Sequence, residues 1–208
     1  MKSNIFLLAF MAIFSIAILN NCDDKSTQQI DSNELDKNSY AGLEHIFNDT
    51  KEISPNGKYM LLIFGANGCK YCEMLKKDIK QDKALQKTIG EDFSAYYINL
   101  SYAKIHNFKI GDSQSSEKSK TKEQSIKEVK LPTKKLAQIY AISPTPTIVL
   151  ANAEGQTILQ YPSYLPPVQF RALLGFITSG KWREAKDDEK KLANLVQQEL
   201  QKAFALEN

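Results

Sequence analysis

The apolar run KYMLLIFGA, residues 58–66, ends just short of Cys69, and there the pattern of the chain changes. Before the cysteine the apolar residues are continuous, as in a strand buried on both faces. After it Cys72, Leu75 and Ile79 recur at steps of three and four, the period of a helix with one buried face, while Lys76, Lys77 and Lys80 take other faces. A strand that hands a cysteine to the first turn of a helix constrains fold and chemistry together. Unpaired backbone N–H groups and the helix dipole favour negative charge at that point, so a Cys69 thiolate is stabilised. Cys72 falls one turn further in, on the buried face, close enough to pair with Cys69 and less accessible than it. That asymmetry gives Cys69 the attacking role and Cys72 the role of resolving a mixed disulfide.

On spacing alone the pair could be a redox dithiol, half of a metal site or a structural disulfide. Zinc needs about four ligands. The other candidates are Cys22, His45, His106 and carboxylates, with no second CxxC and no closely spaced histidine pair. A structural disulfide closing so short a loop would constrain the unfolded chain little.

The flanking segments supply the architecture. YAGLEHIFNDTKEIS, from Tyr40, carries Leu43, Ile46 and Phe47 at helical spacing and predicts a helix, followed by a turn at Pro55, Asn56 and Gly57. Asp82 reads as the N-cap of a second helix ending at Gly90, and FSAYYINLS as another buried strand. Residues 103–132 include GDSQSSEKSKTKEQS and predict a solvated insertion. TKKLAQIYAI suits a short helix, Thr147 to Leu150 a buried strand, and EGQTILQYPS a strand entered through a turn at Glu154 and Gly155. PPVQFRALLGFITSG reads as a helix opened by proline and stopped by Gly180. Leu192, Leu195, Val196, Leu200, Ala203 and Phe204 form one stripe on a C-terminal helix that packs on its own domain. Alternating elements of this kind predict an α/β sandwich around a central sheet. At 42% hydrophobic and 25% charged the chain can bury a sizeable core. Its net charge of +3, without a clustered basic stripe, gives no ground for nucleic acid as a partner.

Two segments, LLIFGANGCKYC and YAISPTPTIVL, together resemble the thioredoxin superfamily: the first its strand-to-dithiol segment, the second its cis-proline loop and following strand. The resemblance covers roughly Tyr40 to Gly180. It implies a thioredoxin-like fold, a central mixed β-sheet flanked by helices, here with the polar insertion and an extra C-terminal helix over 181–208. It implies that Pro146 is a cis-proline facing the dithiol and that the backbone of Thr145 pairs with an extended substrate chain. No cofactor is implied beyond the redox-active Cys69–Cys72 disulfide. The chain departs from the family in three places. Ile63 stands where thioredoxins often bury an aspartate that takes the proton of the second cysteine, with Glu73 a substitute only if it turns inward. Gly68 replaces a tryptophan, and Lys70 and Tyr71 replace a Gly-Pro pair. A cation at Lys70 favours the thiolate, and with Tyr71 and Thr145 the site looks like those of exported thiol reductases and isomerases, the SoxW-like and DsbC-like groups among them.

The N-terminus predicts where such chemistry operates. Lys2 and the apolar run Ile5 to Leu19 have the layout of an export signal, residues 1–22, too short for a comfortable transmembrane helix. Cys22 directly after the run, with Leu19 three residues earlier, resembles the lipidated cysteine of a bacterial lipoprotein, although Asn21 stands where a smaller residue is usual. Asp23 resembles an inner-membrane retention signal. The alternative is an uncleaved anchor with a free Cys22, and either places the rest of the chain beside a membrane, in a compartment that permits disulfides. Residues 23–39 are polar and read as a flexible tether. The expected function is therefore a tethered periplasmic oxidoreductase reducing disulfides in exported proteins, with a DsbD-type transmembrane donor implied by the family. A disulfide isomerase or oxidant of the same fold and a non-catalytic binding lipoprotein are the alternatives.

Overall fold

The computed structural model describes residues 32–110 and 127–206; the expected export signal, Cys22, most of the expected tether and residues 111–126 of the expected insertion lie outside them. Strand β2 (Tyr59–Gly65) is central. It pairs in parallel with β3 (Phe93–Asn99) and antiparallel with β6 (Thr147–Ala151), and β6 pairs antiparallel with β7 (Thr157–Tyr161). The resulting mixed sheet has the order β3-β2-β6-β7.

The unbroken apolar run of β2 has a direct cause: both faces of the strand are covered. Leu61 and Ile63 point into one core with Leu75, Ile79, Ile148, Leu150, Phe170 and Leu173. Met60, Leu62 and Phe64 point into the other, with Phe108, Leu136, Tyr140 and Val149. The first face carries helices α2 (Lys70–Gln81), α3 (Lys83–Asp92) and α5 (Pro167–Thr178). Against α5 lies α6 (Glu189–Ala205), which buries Val196, Leu200 and Ala203 as the stripe predicts. Phe204, at the end of that stripe, is instead 58% exposed. Asp82 caps α3 by accepting from the Leu85 amide at 2.9 Å, and the helix runs through Gly90 to Asp92.

Three expectations are corrected. The stretch after Tyr40 buries Tyr40, Leu43, Ile46 and Phe47 in the first core, but as turns and not as a helix. Gly42, at φ +80°, takes a left-handed conformation that ends regular helix between them. The C-terminal part of the expected tether, 23–39, is regular structure: Ser32–Asn38 forms helix α1, docked through a polar contact that no apolar period could signal. Its Asp36 is buried and accepts from Lys104 Nζ at 3.0 Å and Thr50 Oγ1 at 2.5 Å.

The third correction concerns residues 103–132, whose ends are ordered sheet. Strands β4 (Ile105–Ile110) and β5 (Lys127–Pro132) pair antiparallel, and β4 pairs in parallel with β1 (Glu52–Ile53), giving a second sheet β1-β4-β5. With α4 (Thr133–Ile139) it covers the second core. Among the described positions of β4 the buried ones are His106 and Phe108, so a polar residue takes a core position and the strand period is disguised. The buried imidazole is placed by its Nδ1, which donates to the Thr50 carbonyl at 2.7 Å, while Nε2 lies 3.0 Å from Thr133 Oγ1.

Candidate active site

The dithiol sits where β2 gives way to α2. The intervening loop is anchored from the side by Asn67. Its backbone amide donates to Ser101 Oγ at 2.9 Å, its side-chain Nδ2 donates to Tyr102 Oη at 3.0 Å, and its side-chain Oδ1 accepts from Asn99 Nδ2 at 2.8 Å. Gly68 has φ +72°, a left-handed conformation in which the tryptophan expected there from the resemblance would be strained. Cys69 is the N-cap of α2, its sulfur accepting from the Cys72 amide at 3.1 Å.

Cys69 and Cys72 are joined as a disulfide, with Cα atoms 5.2 Å apart. Cys69 is partly exposed and Cys72 has no exposed surface. Facing them is the loop before β6, where the Thr145–Pro146 peptide is cis and the Thr145 carbonyl oxygen lies 3.4 Å from Cys69 Sγ. Pro146 is buried, Thr145 partly so, and the Thr147 hydroxyl bonds back to the Pro144 carbonyl at 2.8 Å. The arrangement leaves one sulfur open to another molecule, a second sulfur behind it, and a backbone acceptor alongside.

The other residues that the sequence nominates lie around this centre. Lys70 is exposed at the start of α2 and Tyr71 is 55% exposed. Tyr71 stacks on Tyr164, ring centroids 6.1 Å apart. Tyr164 donates its hydroxyl to Asp78 Oδ2 at 2.5 Å, and burial together with that carboxylate pushes the phenol up to about 12. Ile63 is fully buried, with no titratable group in the place of the family's aspartate. Glu73 does not turn inward: its side chain is 65% exposed and pairs with Lys76 at 2.8 Å. Lys76 in turn is nearly enclosed, only 14% exposed, so it does not take the outer face expected for it beside Lys77 and Lys80.

Asn67, Tyr164 and Lys76 are the site neighbours that sequence reasoning does not single out. Each acquires its place from a tertiary partner, and only the helical step from Cys72 to Lys76 could have pointed to one of them.

With this geometry the chain belongs to the thioredoxin-like family, whose domain model matches residues 46–178. A thioredoxin-fold protein from Helicobacter pylori is 50% identical, with a TM-score of 0.73, covering 82% of this chain and 99% of its own. More distant likenesses include a thioredoxin from Thermus thermophilus, 14% identical over 64% of this chain and 85% of that one, TM-score 0.42. A disulphide isomerase from Xylella fastidiosa is 15% identical over 82% of this chain and 92% of that one, TM-score 0.33. No curated protein matches the sequence. Proteins of the thioredoxin fold are in general thiol:disulfide oxidoreductases.

Proposed function

We propose that the protein is an exported, membrane-tethered thiol:disulfide oxidoreductase that reduces disulfides in other exported proteins. The observation that carries this reading is the partly exposed Cys69 Sγ, 3.4 Å from the Thr145 carbonyl, with the fully buried Cys72 directly behind it. In the reduced protein the Cys69 thiolate attacks a substrate disulfide. A Cys69–substrate bond forms, and the displaced substrate sulfur leaves as a thiolate and takes a proton from solvent. Cys72, as thiolate, then attacks Cys69 Sγ, forming the Cys69–Cys72 bond and releasing the second substrate sulfur. Two electrons have passed to the substrate, and a DsbD-type transmembrane donor returns them. Thr145 offers its backbone to the extended substrate chain, with Tyr71 and Lys70 at the rim. Export and tethering rest on the leader and on Cys22, through its lipid or an uncleaved anchor.

The test is the equilibrium reduction potential of the Cys69/Cys72 pair, measured on the full chain in detergent against a glutathione or dithiothreitol buffer. A value near about −270 mV is expected for a reductase; one near about −120 mV would make the protein an oxidant. A pair that does not exchange at all sinks the enzymatic reading and favours a binding lipoprotein on the same scaffold.

A further inference from the structure

Resolution of the mixed disulfide requires Cys72 to ionise, yet Cys72 has no exposed surface. A buried thiolate is costly unless positive charge or hydrogen-bond donors face it. Strand β2 supplies neither, since Ile63 is apolar and buried. A cation does reach this region, from the helix itself. Lys76 follows Cys72 by one helical turn on the same side of α2. Helical side chains lean toward the N-terminus, so Lys76 extends back over the turn that holds Cys72.

Its contacts show that direction. The ammonium is 2.8 Å from Glu73 Oε1, donates to the Ser39 carbonyl at 2.7 Å, and lies 5.4 Å from the ring centroid of Tyr97. Tyr97 is the β3 residue in register with Ile63, so the charge lies over the ring beside that strand position, beneath the first turns of α2. A polar cleft of about 290 Å³, lined by Asn67, Glu73, Lys76, Tyr97 and Tyr102 among others, opens beside it. Four other titratable groups face this region. Glu73 is paired with Lys76, and Asp36 of α1 is held by Lys104. The Tyr97 hydroxyl stays protonated well past neutrality because of burial first and then Glu73 and Asp36. Tyr102 bonds Asn67. Lys76 is the cation among the groups lining that cleft.

We propose that Lys76 is a positioning residue that supplies the positive charge for the Cys72 thiolate, and that Glu73 opposes it by partly neutralising that charge. The inference rests on the oxidoreductase reading above and names the group that lets its second step proceed. In that step the Cys72 thiolate forms the Cys69–Cys72 bond as the Cys69–substrate bond breaks. The electron pair leaves with the substrate sulfur, which is protonated by solvent.

The test is a pH titration of the reduced full-length chain, with cysteine labelled by carbon-13 at Cβ so that each thiol is read separately by NMR. Lys76→Met should move the Cys72 midpoint up by about one pH unit, with resolution of a mixed disulfide slowed about tenfold at neutral pH. Glu73→Gln should move it down, and Lys76→Arg should restore the parent value. A merely structural role for Lys76, as the tie to Ser39, predicts no such opposition of signs. An unmoved midpoint in Lys76→Met, or shifts of the same sign in Lys76→Met and Glu73→Gln, overturns the assignment of Lys76 alone, provided the parent chain exchanges with glutathione. A parent chain that does not exchange overturns both this inference and the oxidoreductase reading.

Discussion

Gly65 closes β2 immediately before the dithiol loop, and a Cβ there would collide with the Tyr97 hydroxyl. Tyr97 cannot simply swing aside, because its ring is buried between Tyr40, Phe47 and the Lys76 ammonium. Gly65→Ala is therefore expected to destabilise the protein by about 1–3 kcal/mol, the usual cost of overpacking a tight core. A denaturant midpoint equal to the parent's would show that this contact yields freely. At this scale the sequence discloses residues whose type already carries their chemistry. Cys69 and Cys72 are legible because a dithiol at a strand-to-helix junction is recognisable from residue type and spacing, whereas Pro146, which alone reads as a rigid turn, is legible only through the resemblance of its segment to the family's loop. Lys76 is not, since a lysine on an amphipathic helix ordinarily reads as solvated. Tyr164 is hidden for a related reason: it lies in a loop, and only its stacking on Tyr71 and its bond to Asp78 bring it to the site.

Helix α1 shows how an element can be tied down by charge where apolar pattern is lacking. Its Asp36 and Lys104, the residue just before β4, are 2% and 3% exposed in their side chains, and Asp49 lies 3.0 Å from the same ammonium. The segment that follows is tied to α2 by Lys76 at the Ser39 carbonyl and by Lys80 at the Ala41 carbonyl. Removing Asp36 leaves the buried Lys104 ammonium with only the partly exposed Asp49 as its carboxylate partner, so Asp36→Asn is expected to cost about 2 kcal/mol, less than the loss of a sole partner. In hydrogen exchange the α1 amides should lose protection before those of β2 and β3; retained protection in α1 would mean that the pair does not hold the helix. Replacing Asp36 and Lys104 together by apolar residues should recover part of the loss. Strands β2, β3 and β6 of the central sheet are legible from sequence because burial on both faces leaves mostly apolar runs. Strand β4 and helix α1 are not, because polar residues, His106 and Asp36, occupy their buried positions.

These polar contacts also give the whole molecule a pH dependence. Burial holds the His106 imidazole below its ordinary value of 6.5, so the folded state prefers it neutral. The unfolded chain then binds the extra proton first, and this stability is complete above about 6.5 and declines as pH falls below it. Asp49 titrates lower. Burial alone would raise its carboxyl, but the Lys51 amide and the Lys104 and Lys37 ammoniums outweigh that and hold it at about 2. Its contribution is present above the unfolded value of about 4 and is lost as pH falls toward about 2. Unfolding free energy measured against pH should therefore fall in two stages, and His106→Gln should abolish the upper one; a single acid transition in the parent would exclude this account.

The burial of Cys72 behind Cys69 has a consequence for survival under oxidants. Peroxide arriving from solvent meets Cys69 first and converts it to a sulfenic acid, the one stage of cysteine oxidation that a neighbouring thiol can still reverse. Cys72, its Cα 5.2 Å away, is placed to condense with it, expelling water and returning the pair to the ordinary disulfide before a second oxidant commits the sulfur to sulfinic acid. The inner cysteine thus shields the outer one from irreversible damage, and the product of that rescue is a normal stage of the proposed redox cycle.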